Sequence, residues 1–181
     1  MPLPKELLSI QYLRGIAAMM VAVFHIGSEL AHLGYAGDWP GWTSHGVDVF
    51  FVISGLVMWL STSDRPITPL AFYHRRAIRI VPLYWLITTL CVVILIARPS
   101  WMHSGQFDLY HAVASYLFIP AIHPVMHLAM PVVIPGWTLN YEMFFYVLFG
   151  FMLLRPRGQR IAGMAIVLGA FVLVGLVFPG N

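Results

Sequence analysis

Ile80-Val81-Pro82-Leu83-Tyr84-Trp85-Leu86-Ile87-Thr88-Thr89-Leu90-Cys91-Val92-Val93-Ile94-Leu95-Ile96-Ala97 carries no formal charge. A helix that crosses hydrocarbon needs about 20 mostly apolar residues, so the stretch reads as a transmembrane helix. Ile161 to Phe178 gives the same signal. Outward from these two, further spans are expected at Ile10 to Leu30, at Gly46 to Ser63 with Asp48 near its start, and at Trp137 to Leu154, charged only at Glu142. Composition agrees: 60% of the residues are hydrophobic and 9% charged, against about 25% charged in a soluble domain, and the mean hydropathy is +0.81. The expected fold class is all-α, a polytopic transmembrane helix bundle of about five spans in one membrane domain over residues 1–181.

The net charge of +3 comes from basic clusters lying between apolar runs. That pattern sets membrane orientation and gives no reason to expect nucleic-acid binding. The lipid bilayer is the expected environment. If Arg65, Arg75, Arg76 and Arg79 mark one cytoplasmic loop and Arg155, Arg157 and Arg160 another, the N-terminus is cytoplasmic and the loop carrying Trp39 is outside. The chain must then cross an even number of times between Ala97 and Trp137. The apolar stretch Tyr110 to Ile119 is too short to span and is followed by Pro120, Pro124, Pro131 and Pro135. It reads as a half-helix or re-entrant segment on the outer side. Residues 1–30 lack the small-residue cleavage site of a signal peptide and read as a retained first span. The single cysteine, Cys91, offers neither a disulfide nor a thiolate metal cluster, and no metal is expected.

Charged groups inside a span cost about 2.5–3.5 kcal/mol each on insertion scales, so each calls for a partner, a water-filled cavity or a task. Arg14 and His25 are eleven residues apart, close to three whole turns. Both project from one helix face, with His25 about 16 Å further along the axis. An imidazole there suits a general base or an acyl-accepting nucleophile; the plainer alternative is a histidine bonded to a neighbouring helix. Arg76 and Arg79 stand one turn apart and suit capture of phosphate oxygens, or else anchor the topology or bind lipid headgroups. Ser54-Gly55 allows close helix approach. Glu142 suits the orientation of a base, an acceptor hydroxyl or a buried salt bridge.

Four stretches together resemble the membrane acyltransferase 3 family, which includes O-acetyltransferases of surface polysaccharides. Leu13-Arg14-Gly15 with His25 is similar to the family's arginine-to-histidine signature. Asp48 through Gly55 resembles its phenylalanine-rich Ser-Gly motif. Arg75-Arg76-Ala77-Ile78-Arg79-Ile80-Val81-Pro82-Leu83-Tyr84 looks like its arginine-rich entry to the third span. Trp137-Thr138-Leu139-Asn140-Tyr141-Glu142 is similar to a Trp-Ser-Leu motif ending in glutamate, with threonine where serine is usual. The wording of the second and third stretches is closest to the exopolysaccharide-modifying branch.

The resemblance implies a fold of about ten transmembrane helices in a bacterial-type inner membrane, with acyl-CoA, acetyl-CoA first among them, as donor and a surface glycan or lipid-linked sugar as acceptor. It implies His25 as catalytic base or acyl carrier supported by Arg14, and Arg75, Arg76 and Arg79 at the phosphates of coenzyme A. Glu142 would help build the acceptor site, and Asp48, Ser54 and Trp137 would line or support it. Members are typically about twice this length, so the chain is expected to correspond to an N-terminal half that meets a C-terminal half or forms a homo-oligomer. Two other classes compete. A transporter would use Arg14, Asp48 and Glu142 as a proton or substrate path, but no internal repeat of the transporter kind is visible. A haem protein would need axial ligands, and only His25 lies well inside an expected span.

Overall fold

The computed structural model describes residues 5–63, 67–102 and 105–177; Asp64, Arg65 and Pro66 of the first basic stretch, and Phe178 at the end of the last expected span, lie outside them. Six α-helices follow one another: α1 (Lys5–His32), α2 (Gly46–Ser63), α3 (Pro69–Ala97), α4 (Leu109–Tyr116), α5 (Trp137–Met152) and α6 (Arg157–Val177). Among the described residues there is no strand, only an isolated antiparallel bridge between Ile122 and Ala129. The runs containing α1, α2, α3 and α6 are long and apolar enough to cross a membrane. The chain is an all-helical integral membrane protein. Residues Met1–Pro66 and Ile67–Asn181 pack as two compact units.

In the first unit, α1 stops at a Schellman turn. Gly34 takes a left-handed φ of +89°, the amide of Tyr35 donates to the Leu30 carbonyl at 3.0 Å, and that of Gly34 donates to Ala31 at 3.1 Å. The chain then folds back along α1, and Trp39 donates from Nε1 to the carbonyl of Val23 at 2.9 Å. A short 3₁₀ turn, Gly41–His45, leads into α2. The first residue of α2, Gly46, lies so close to α1 that a Cβ there would stand 2.7 Å from the Ala17 carbonyl oxygen. The second helix therefore begins about halfway along the first.

In the second unit, Thr68 caps α3 by accepting the Ala71 amide at 3.3 Å, and Pro69 occupies the first helical position, where its missing amide costs nothing. The helix runs for 29 residues, about 43 Å, and so starts eleven residues before Ile80. The arginine cluster expected in a loop is helical. Hydropathy alone hides this start, because the charged residues interrupt the apolar signal. Pro82 removes the amide that would bond the Ile78 carbonyl.

Antiparallel to α3 runs α5. Tyr73 donates to the Val147 carbonyl at 2.9 Å, Phe72 meets Phe149 and Tyr146, and a Cβ on Gly136 would stand 2.8 Å from the Tyr84 ring. With 16 residues, about 24 Å, α5 covers only the first half of α3. It is shorter than the four span-capable helices and ends at Met152, two residues before the expected boundary. A turn follows in which Arg160 donates to the carbonyls of Arg155 at 3.0 Å and Leu153 at 3.3 Å, satisfying carbonyls freed at the end of α5. Then α6 returns along α5, with Phe144 against Phe171. Arg75–Arg79 and Arg155–Arg160 thus share one end of this unit.

The far half of α3 is covered by residues 105–136. Asp108 caps α4 by accepting the His111 amide at 2.6 Å, and the eight residues of α4 reach only about 12 Å, so the segment does not span. Leu95, Ala112 and Val132 form its apolar centre, with Cys91, Val92 and Met102 packed against it. Trp85 donates to the Tyr116 carbonyl at 2.9 Å.

After α4 the fold rests on polar side chains bonded to backbone. Ser115 accepts the Val132 amide at 2.9 Å and donates to the His111 carbonyl at 2.8 Å. His111 donates from Nε2 to the Met130 carbonyl at 2.7 Å. His123 accepts the amides of Val125 and Met126 on Nδ1, each at 3.2 Å. This lobe descends along α3 until Phe118 stacks on Tyr84, with ring centroids 4.6 Å apart, and there α5 begins.

Candidate functional site

The chemistry-bearing side chains fall into two groups, one in each unit. In the first, Arg14 and His25 lie on the continuous helix α1, and each is partly buried. At 100° per residue their directions differ by about 20°, so they form one stripe. The His25 ring meets Phe24 edge-on at 5.7 Å. Trp39 sits on the face of α1 marked by Gly27, where a Cβ would stand 2.1 Å from the indole. That face is about 160° round from His25, so the indole braces the helix from the side away from the histidine.

Asp48 is explained by its place. It lies in the first turn of α2, exposed, and binds His45 Nδ1 at 2.9 Å. A carboxylate there complements the positive end of the helix and is not a charge deep within a span. Ser54 is partly buried in mid-α2, beside the buried Ile53.

In the second unit, one face of α3 meets one face of α5. Arg76 is partly buried, whereas Arg75 and Arg79 are exposed. The two arginines expected to act as a matched pair therefore differ in setting. The Arg76 guanidinium lies 5.2 Å from the Tyr146 ring centroid and 5.4 Å from that of Phe72, and these two rings meet edge-on at 6.0 Å. The Tyr146 hydroxyl donates to Glu142 Oε1, one helical turn away. Trp137 opens α5 and meets Tyr141 edge-on at 5.8 Å.

Sequence reasoning passed over Tyr146, although its i,i+4 spacing from Glu142 is visible in the chain. It also passed over a line of buried polar groups beyond Arg76: Tyr84 and Thr88, one turn apart on α3, and Asn140 on α5, whose Oδ1 has no hydrogen-bond partner among the described residues. Their signal is period-four spacing with Arg76 along α3.

A rigid, ring-flanked guanidinium can hold planar or tetrahedral oxyanions through its edge donors. A partly buried histidine can exchange a proton with a bound hydroxyl.

The family model described as an acyltransferase domain, that of acyltransferase family 3, matches residues 7–181. The chain is 39% identical over 155 residues to the exopolysaccharide production protein ExoZ of Rhizobium meliloti, covering 86% of this chain and 46% of that protein. It is 31% identical over 169 residues to the putative membrane-bound transacylase BcsY of Komagataeibacter xylinus, covering 85% and 40%. To the O-acetyltransferase OatA of Staphylococcus aureus it is 29% identical over 164 residues, covering 81% and 24%. The chain thus spans less than half the length of each of these relatives. No solved structure matches it. With a family match across almost the whole chain, and with the arginine, histidine and glutamate of the four motifs set on helices, the chain belongs to the acyltransferase 3 family.

Proposed function

We propose that the protein is a membrane acyltransferase that moves an acyl group, in the simplest case acetyl, from acyl-CoA to a hydroxyl of an exopolysaccharide or other surface glycan. The family match over residues 7–181 carries this reading. Its acceptor class is supported by the relatives ExoZ, an exopolysaccharide production protein, and OatA, an O-acetyltransferase. The proposed setting is the inner membrane of a bacterial-type cell, with the N-terminus and the arginine-bearing end of α3 on the cytoplasmic side.

His25 is the proposed base or acyl carrier. As base, it takes the proton of the acceptor hydroxyl while that oxygen attacks the thioester carbonyl. The C–S bond breaks, and the coenzyme A thiolate takes the proton from the imidazolium. As carrier, its nitrogen attacks the thioester carbonyl, the C–S bond breaks and the coenzyme A thiolate leaves with the ring N–H proton; the acceptor oxygen then attacks the acyl carbon, the C–N bond breaks and the freed imidazole nitrogen takes the hydroxyl proton. Arg14, in line on the same helix, adds positive charge to the stripe on which the thioester oxygen gains negative charge. Arg76, with Arg75 and Arg79 beside it, binds the donor's phosphates, and Glu142 accepts a hydrogen bond from the acceptor.

The test is transfer of labelled acetyl from acetyl-CoA to membrane glycan, with His25→Ala compared at equal expression. Transfer is expected to fall at least a hundredfold, within the usual range for loss of a general base. Undiminished transfer by His25→Ala would remove the assignment.

A further inference from the structure

The arginine proposed to hold the donor and the carboxylate proposed to meet the acceptor sit on different helices, α3 and α5, and one side chain touches both. Tyr146 is 2% exposed. Its ring lies under the Arg76 guanidinium, with 5.2 Å from Cζ to the ring centroid, and its hydroxyl donates to Glu142. Phe72 closes the other side of the corner, 5.4 Å from the same guanidinium, and is itself backed by Phe149 at 5.4 Å.

These contacts reinforce one another. A phenol that donates to a carboxylate shifts electron density onto its ring, and an electron-richer ring attracts a guanidinium more strongly. A guanidinium held by ring contacts rather than by hydrogen bonds keeps its N–H donors for phosphate oxygens. The rings thus orient Arg76 without using its donors, while the hydroxyl fixes which way Glu142 points.

We infer that Tyr146 is a positioning residue that couples donor binding at Arg76 to the orientation of Glu142. It does so through a ring contact on one side and its hydroxyl on the other. The inference rests on the proposed roles of those two residues.

The test is a double-mutant cycle on the full chain in proteoliposomes, read by equilibrium binding of coenzyme A and by acetyl transfer. Tyr146→Phe keeps the ring and loses the hydroxyl. It is expected to lower turnover about tenfold, in line with a lost charge-assisted hydrogen bond, while weakening coenzyme A binding only about threefold. Tyr146→Leu also loses the ring and should weaken coenzyme A binding at least tenfold. Glu142→Gln should resemble Tyr146→Phe, and the double variant should be no worse than either single one, because both changes break the same link. A residue that merely fills space would give wild-type turnover in Tyr146→Phe, a loss only in Tyr146→Leu, and additivity in the cycle.

Wild-type turnover in Tyr146→Phe, or additivity in the cycle, overturns the coupling. If the wild-type protein neither binds coenzyme A nor transfers acetyl, the donor assignment falls instead. The cycle of Tyr146→Phe and Arg76→Lys scored on thermal unfolding then decides the coupling, with additive shifts refuting it.

Discussion

The indole nitrogen of Trp39 donates to the Val23 carbonyl at 2.9 Å, and its ring rests where Gly27 offers no Cβ, so that a loop residue grips α1 on the side away from His25. Gly27→Ala would place a methyl 2.1 Å from the indole and should force the ring off. The expected cost is about 1–3 kcal/mol, as for other overpacked sites, together with a loss of transfer that follows from a looser His25. Trp39→Phe keeps an aromatic ring and loses only the hydrogen bond, so it should be the milder change. Thermal unfolding and acetyl transfer measured on both variants check the order.

The lobe of residues 105–136 should weaken in acid. Burial, with His111 and His127 close by, pushes the His123 pKa below its ordinary value of 6.5, and Nδ1 must stay unprotonated to accept two amides. A depressed folded pKa means that the unfolded chain takes up the proton first. The stabilisation is complete above about pH 6.5 and is lost as pH falls through the folded value. Unfolding temperature followed downward from pH 7.5 should drop for the wild type, and the drop should be smaller in His123→Gln.

Ser115→Ala should open the same lobe at constant pH. It strands the Val132 amide, which Ser115 now satisfies from a side chain that is 1% exposed, at a cost of about 1–3 kcal/mol. Cys91, the single cysteine, packs against the apolar centre that includes Val132 and provides a native reporter. Maleimide should label it several times faster in Ser115→Ala than in wild type; an equal rate would show that Ser115 does not hold the lobe closed.

Replacing Arg76 by lysine should weaken donor binding about tenfold, because lysine keeps the charge but loses both the fork and the guanidinium's approach to the Phe72 and Tyr146 rings. Arg79, exposed on α3, has neither ring contact, so Arg79→Lys should cost less. Equal losses would mean that the rings contribute nothing to binding.

Length and apolarity are local properties, and the helices could be read from them. The span over Ile80–Ala97 was visible because nothing charged interrupts it; the three turns before it were not, although Thr68-Pro69 is a legible helix start. Asp48 looked like a buried charge because hydropathy does not show that it stands exposed in the first turn of α2, bonded to His45. The lobe could not be read, since Ser115 meets Val132 and Trp85 meets Tyr116 across many residues. Arg14 and His25 were legible because one helix fixes their relation. Tyr146 and Arg76 were not, because their contact depends on the register of α3 against α5, and that register is set by Tyr73, Gly136 and Gly150 acting together.

One consequence concerns how the protein is made. At about 24 Å, α5 falls short of a hydrocarbon layer about 30 Å thick, and it carries a carboxylate besides. Released alone from an insertion channel, it would be a poor recruit to the lipid phase. It settles there because α3 and the lobe arrive earlier in synthesis and offer a half-finished wall with Tyr73 at its foot and Tyr84 at its ledge. Damage to that wall should therefore appear first as a topology defect, with α5 left at the surface and α6 inserted the wrong way round, before any defect in chemistry can be measured.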